Sequence, residues 1–200
     1  MKKSKISAFL ASSLSLSLLL TACGSSDDSG SQSADGAQEL RVLETAEIPT
    51  MDSSLATDTM AFTALNNVNE GLYRQNAENE LIPAVAEGEP EIKELENGTQ
   101  FTVKLKDGLT WSNGDALTAN DFVYAWKRAI DPETASEYGP YMMNGQIAGA
   151  EEITEAAANG KEYSLDSLGV EAADDTTLVV TTAKPMTVEF FKGLMAFGTF

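Results

Sequence analysis

Between residues 101 and 130 the spacing of apolar residues changes period, and that change constrains the fold more than any other feature of the chain. Phe101, Val103 and Leu105 alternate with Thr102, Lys104 and Lys106, the two-residue period of a strand with one buried face. Phe122, Val123, Ala125, Trp126, Ala129 and Ile130 then fall on one stripe at helical spacing. Thr118 stands where a cap belongs, with Asp121 three residues on, close to a capping box. Lys127 and Arg128 occupy the last turn, where cations complement the helix dipole, and Pro132 ends the helix. A strand followed by a helix points to a mixed α/β class. Trp126 lies on the buried stripe and reads as a core aromatic, not as a stacking platform for a ligand.

The same reading extends in both directions. Leu40, Val42 and Leu43 suggest a short strand, and a turn-rich stretch around Pro49, Asp52, Ser53 and Ser54 follows. Phe62, Leu65, Val68 and Leu72 predict a helix over 59–73, with Gly71 near its end. The polar run 75–80 predicts a turn; its spacing does not fit a calcium loop. Asn97-Gly98 signals a hairpin joining a strand at 91–95 to the one at 101–105. Asp107-Gly108 and Asn113-Gly114 mark further turns, and 138–149 is rich in aromatics and glycine without a clear period. Gly145 and Gly149 form no meaningful GxxxG contact outside an apolar membrane helix. A short helix is predicted over 153–158, a strand pair over 168–172 and 177–182 around Asp174-Asp175, and a helix over 186–195 behind Pro185. The sequence stops at Phe200 directly after that helix, as a truncated chain would.

Composition narrows the chemistry. The chain has 200 residues, no histidine, one cysteine and a formal net charge of −18. A Ser-His-Asp or Cys-His pair cannot form within it, nor can a zinc site of His/Cys type. No metal or other cofactor is expected. Acidity of this size repels nucleic acid and anionic headgroups, so neither is an expected partner of the globular part. Glu151-Glu152 and Asp174-Asp175 read as solvated charges, not as an acid–base pair.

The first 23 residues have their own logic. Lys2, Lys3 and Lys5 precede an apolar run over 6–20, too short and serine-rich for a comfortable membrane span. Leu20-Thr21-Ala22-Cys23 resembles the bacterial lipobox. That resemblance implies a lipoprotein signal peptide over residues 1–23, in which the Cys23 thiol is acylated and cleavage leaves Cys23 as the new N-terminus. Two acyl chains anchor where one binds only marginally. Residues 24–38, dominated by Ser, Gly and Asp, read as a flexible tether, and the folded part is expected over 39–200.

The stretch FTVKLKDGLTWSNGDALTANDFVYAWKRAIDPETASEY, residues 101–138, resembles the signature of solute-binding protein family 5. Lys106, Gly108, Trp111, Ser112 and Gly114 match its turn. Leu117-Thr118-Ala119, Asp121-Phe122-Val123-Tyr124, Trp126 and Arg128 match its helix, and Asp131-Pro132 the block that follows. Asn69-Glu70-Gly71-Leu72 and Pro83-Ala84-Val85-Ala86-Glu87 match two upstream blocks, and the likeness runs more loosely over 39–200. The continuation DPETASEY resembles the oligopeptide-binding branch. Asn113 stands where that branch usually has Asp, and either residue suits the turn.

The resemblance implies a periplasmic-binding-protein-like fold of type II, with two lobes and three domains, of which this chain is the N-terminal portion. It implies an extracytoplasmic lipoprotein, monomeric, held through Cys23 on the outer face of the cell membrane or in the periplasm of a two-membrane bacterium. Such a protein captures oligopeptides through their main chain, delivers them to ABC transporter permease subunits and catalyses no reaction. Counting back from Glu70 without gaps places the branch's backbone-binding segment at Thr57, Asp58 and Thr59; these residues equally suit a helix cap. The ligand-facing tyrosine of the branch matches Tyr138, with Tyr141 as a neighbour also suited to packing between lobes. Other solutes on the same scaffold stay open, among them a pheromone peptide, a nickel chelate, haem or an oligosaccharide. A cell-surface hydrolase and an adhesin are more distant alternatives.

Overall fold

The computed structural model describes residues 41–197. The leader over 1–23 with Cys23, the tether over 24–38, Leu40 and the last three residues lie outside the described residues. The chain divides into a unit ending at Leu43 and a second unit, Glu44–Phe200. Of the first unit only Arg41, Val42 and Leu43 are described. They form no strand, contrary to the pattern of their side chains, and Leu43 is 96% exposed. Apolar residues make a strand only where another strand accepts their hydrogen bonds.

The second unit is built on an antiparallel sheet of four strands. Its members are β3 (Glu91–Glu94), β4 (Thr99–Lys104), β5 (Val170–Asp174) and β6 (Thr177–Thr181), in the order β3-β4-β6-β5. A separate ribbon pairs β1 (Tyr73–Gln75) with β2 (Leu81–Pro83). The helices are α1 (Thr59–Val68), α2 (Ala119–Ile130), α3 (Tyr138–Met143), α4 (Ala150–Ala158) and α5 (Val188–Met195). The observed class is the expected mixed α/β.

One face of the sheet makes the core. Phe101 and Val103 of β4 and Leu178 and Val180 of β6 are fully buried, while Thr102 and Val179 between them are not. The register sets Phe101 opposite Val180 and Val103 opposite Leu178, so both inward sets share one face. The stripe of α2 meets them through Phe122, Trp126, Ala129 and Ile130. Phe191 of α5 stacks on Phe101 at 4.1 Å between ring centroids. The capping box is present: the Asp121 carboxylate accepts from Thr118 N–H at 2.7 Å and from the Thr118 hydroxyl at 3.1 Å. The hairpin at Asn97-Gly98 is also present, closed by Leu95 N–H donating to the Gly98 carbonyl.

Three boundaries move for tertiary reasons. The helix predicted over 59–73 stops at Val68. Leu72 and Tyr73 are buried in the main core, whereas Ala61 and Leu65 of α1 belong to a small separate cluster with Ala56. A single helix would not serve both, so the chain turns extended at Asn69 and pairs as β1. The helix predicted from 186 begins at Val188, because Met186 N–H donates to the Thr99 hydroxyl and Thr187 supplies the cap. The helix predicted from 153 begins at Ala150, behind Gly149 at φ +80°. A Cβ on Gly149 would come 2.1 Å from the Ser167 carbonyl oxygen, so both the angle and the close approach need glycine.

Trp126 is the largest of the fully buried side chains. Trp126→Ala is expected to cost roughly 3–5 kcal/mol of unfolding free energy, read from urea denaturation. A midpoint within error of wild type would contradict its placement at the centre of the core.

Candidate functional site

The segment ahead of α1 is organised by one carboxylate. Asp52 accepts from Ser54 N–H at 3.1 Å through Oδ1, and its backbone carbonyl accepts from Leu55 N–H at 3.0 Å and Ala56 N–H at 2.9 Å. The Arg128 guanidinium of α2 closes on the same carboxylate with two parallel bonds, 2.7 Å to Oδ1 and 2.5 Å to Oδ2. These bonds, together with desolvation working the other way, hold the Asp52 carboxyl below the usual carboxylate range. The turn delivers the chain to residues 57–59.

Asp58 is the N-cap of α1, its Oδ1 accepting from Ala61 N–H at 3.0 Å. The capping reading of this segment therefore holds for the Asp58 side chain. Thr57 and Thr59 are exposed. Among the described residues, nothing hydrogen-bonds to the Thr57 N–H or carbonyl, or to the N–H of Asp58 or Thr59. Asp58 is extended at φ −120°, ψ 158°, and Thr59 begins α1, so these unpaired backbone groups lie at the entry to a helix.

Tyr138 opens α3, half-buried in a group of aromatic rings. Phe62 of α1 meets it edge-on at 5.6 Å and Phe197, just past α5, at 5.4 Å; Phe62 and Phe197 are themselves 5.3 Å apart. Tyr141 touches Tyr138 at 6.0 Å and is 78% exposed. The predicted tyrosines are thus brought together with each other. They meet α1, which the 57–59 segment leads into, through Phe62. Among the described residues, no hydrogen bond or ring contact links Tyr138 to Thr57, Asp58 or Thr59.

The position of α3 comes from small residues. A Cβ on Gly139 would fall 1.8 Å from the Ala129 carbonyl oxygen at the end of α2. Gly139 N–H donates to the Ser136 hydroxyl at 3.0 Å, and Ala135 sits at φ +56°, a left-handed conformation uncommon for alanine. Sequence reasoning left 138–149 without an element because Gly139 and Pro140 are poor helix formers. It also missed Asp52, Arg128, Phe62 and Phe197 as parts of the site. Phe62 is legible in the sequence as a member of a helical stripe, and Arg128 as a last-turn charge that also matches the family's helix pattern.

Two surface grooves lie elsewhere, one beside Asn97 and Thr182, the other beside Lys127 and Asp166. Neither includes Tyr138, Tyr141 or residues 57–59. The Asn113 turn forms as expected, its side chain accepting from Asp115 N–H at 3.0 Å, and Trp111 is half exposed at its start.

Residues 80–200 match the model of the bacterial extracellular solute-binding proteins, family 5 Middle. The chain is 39% identical over 197 residues to the dipeptide-binding protein of Lactococcus lactis, covering 98% of this chain and 32% of that protein. It is 35% identical over 191 residues to the oligopeptide-binding protein OppA of Bacillus subtilis, covering 94% of this chain and 33% of that one. The structure of Listeria monocytogenes OppA bound to peptide superposes with a TM-score of 0.68 at 39% identity, over 78% of this chain and 28% of that one. The chain spans about a third of the length of the curated relatives it matches. Both named relatives are binding proteins.

The lowered Asp52 carboxyl makes stability depend on pH in one direction. Ionised Asp52 is favoured by folding, so its contribution is complete above the unfolded value of about 3.9 and is lost as pH falls through the lower folded value. The stability gap between wild type and Asp52→Asn should stay constant from neutral pH down to about 5 and close below about 4. Urea midpoints across that range check this; a gap that widens in acid would refute it.

Proposed function

The chain belongs to the bacterial extracellular solute-binding proteins of family 5, and from that premise we propose that it captures oligopeptides outside the cytoplasm for an importer of ABC type. The observation that carries the reading is the exposed backbone of Thr57, whose N–H and carbonyl take no partner among the described residues, just ahead of the extended Asp58. A receptor for many peptide sequences has to hold what peptides share, their amides. Strand addition does this while leaving the side chains of the ligand to roomy, wet surroundings. Thr57, Asp58 and Thr59 supply backbone groups in this reading, and the Asp58 side chain caps α1 at the same time.

Tyr138 faces the same ligand. Its ring is held from three sides by Phe62, Phe197 and Tyr141, so little rotamer freedom is lost when a peptide arrives. Its hydroxyl, engaged by none of the described residues, is suited to a peptide carbonyl. Tyr141, largely exposed, is placed to cover ligand or to pack on an opposing lobe as the cleft closes. Permease subunits then receive the closed form, and no bond of the peptide is broken. Cys23, acylated and N-terminal after cleavage, moors the protein through the tether over 24–38, as a monomer.

The complete polypeptide that carries this sequence, prepared without residues 1–23, should gain about 2.7 kcal/mol of stability from a peptide held at a hundredfold its dissociation constant. Thermal denaturation with a mixed peptide pool reads this. Stabilisation by sugars or metal chelates in place of peptides would move the reading to another solute, and peptide turnover would move it to a hydrolase. Tyr138→Ala should weaken binding by roughly tenfold, about 1.4 kcal/mol. Mass spectrometry of the exported protein should find Cys23 diacylated; an unmodified thiol there would remove the anchor.

A further inference from the structure

The two parts of the proposed site are far apart in sequence, yet both are mounted on consecutive residues of α2. Arg128 holds Asp52 with a bidentate pair, and Asp52 holds the turn that leads into residues 57–59. The carbonyl of Ala129, the next residue, is the surface against which Gly139 packs, too closely for any side chain there. Gly139 follows Tyr138 directly. The last turn of α2 is itself immobilised, since Ala129, Ile130 and Trp126 are fully buried in the main core.

We infer that Arg128 is a positioning residue for peptide binding: through Asp52 it sets the place of the 57–59 backbone relative to Tyr138.

Three features support this over a general stabilising role. First, α1 has no share in the main core; Ala61 and Leu65 pack with Ala56 in a small cluster of their own. The 52–58 segment therefore depends on few other ties to the body of the unit. Phe62 is a second tie, through its edge contact with Tyr138. Secondly, the pair is bidentate, which fixes direction as well as distance in a way a lysine would not. Thirdly, the same carboxylate oxygen that meets Arg128 Nη1 also accepts from Ser54 N–H. Moving the guanidinium moves the acceptor around which the turn is folded. Arg74, by contrast, makes a single longer contact of 3.4 Å with Glu70 on the exposed surface and orients nothing in this segment.

The inference rests on the peptide-binding reading, and its test separates the two. In the complete polypeptide carrying this sequence, Arg128→Met, Asp52→Asn and the double variant are compared with wild type and with Arg74→Met. Two measurements are made: hydrogen exchange at the Leu55 and Ala56 amides, and titration with the mixed peptide pool. Exchange at those amides should speed up in Arg128→Met, without any ligand present. Peptide affinity should fall about tenfold in each single variant and no further in the double, the coupling expected of residues acting as one unit. Arg128→Lys should recover only part of it, and Arg74→Met should bind as wild type does. Unchanged exchange in Arg128→Met would overturn the clasp whatever the ligand. Wild-type affinity in Arg128→Met, or losses that simply add in the double variant, would overturn its link to binding. A wild-type protein that binds no peptide while the Arg128→Met amides do lose protection would sink the functional reading and leave the clasp standing as a purely structural device.

Discussion

The main core of the described unit rests on the burial of one helix on one sheet. The inward side chains of β4 and β6, Phe101, Val103, Leu178 and Val180, are apolar, and such a layer excludes water only when another apolar layer covers it. Trp126 does so, with Phe122, Ala129 and Ile130 around it. The stripe of Phe122, Trp126, Ala129 and Ile130 sets which face of α2 lies on the sheet. The Thr118–Asp121 box starts α2, which ends at Asp131 with Pro132 beyond. Its end then serves as the reference point for α3 and for the turn at Asp52.

This arrangement separates rigidity from recognition. The residues that carry the core are on strands and on the inner face of α2. The residues assigned to the ligand are on a turn, on the first residues of α1 and on a six-residue helix, all of which have weak local preferences of their own. Gly139 and Ala135 illustrate the difference. Neither is favourable where it stands by intrinsic propensity, and both are held there by contacts to α2 and its extension. A site assembled this way owes its geometry to tertiary packing.

That division also explains how far the sequence could be read. The strand at 101–105, its hairpin partner, α2 with its capping box, and the strand pair around Asp174 are local patterns with strong signals, and each is present. The end of α1 was misplaced because Leu72 continues the helical period in sequence while belonging, in space, to another core. The strand expected at Val42 had apolar side chains but no partner among the described residues. Tyr138 and the 57–59 segment could be pointed to only by likeness to a family. Their relation to each other lay in contacts between positions 52 and 128, 62 and 138, and 129 and 139, separations over which periodicity and propensity carry no information.

A consequence for recognition follows from the charge of the clasp. A main-chain receptor gains selectivity for peptides by offering amides and carbonyls in a fixed direction, and gains breadth by keeping its own side chains out of the way. Asp52, folding the preceding turn around a guanidinium, has both carboxylate oxygens engaged internally, and Asp58 gives one oxygen to the cap of α1. A chain carrying a formal charge of −18 thereby keeps Asp52 from acting as a free acceptor beside the proposed ligand segment. An unpaired carboxylate there would favour ligands with a cation at one place along the strand; in the proposed reading, pairing Asp52 with Arg128 removes one such preference.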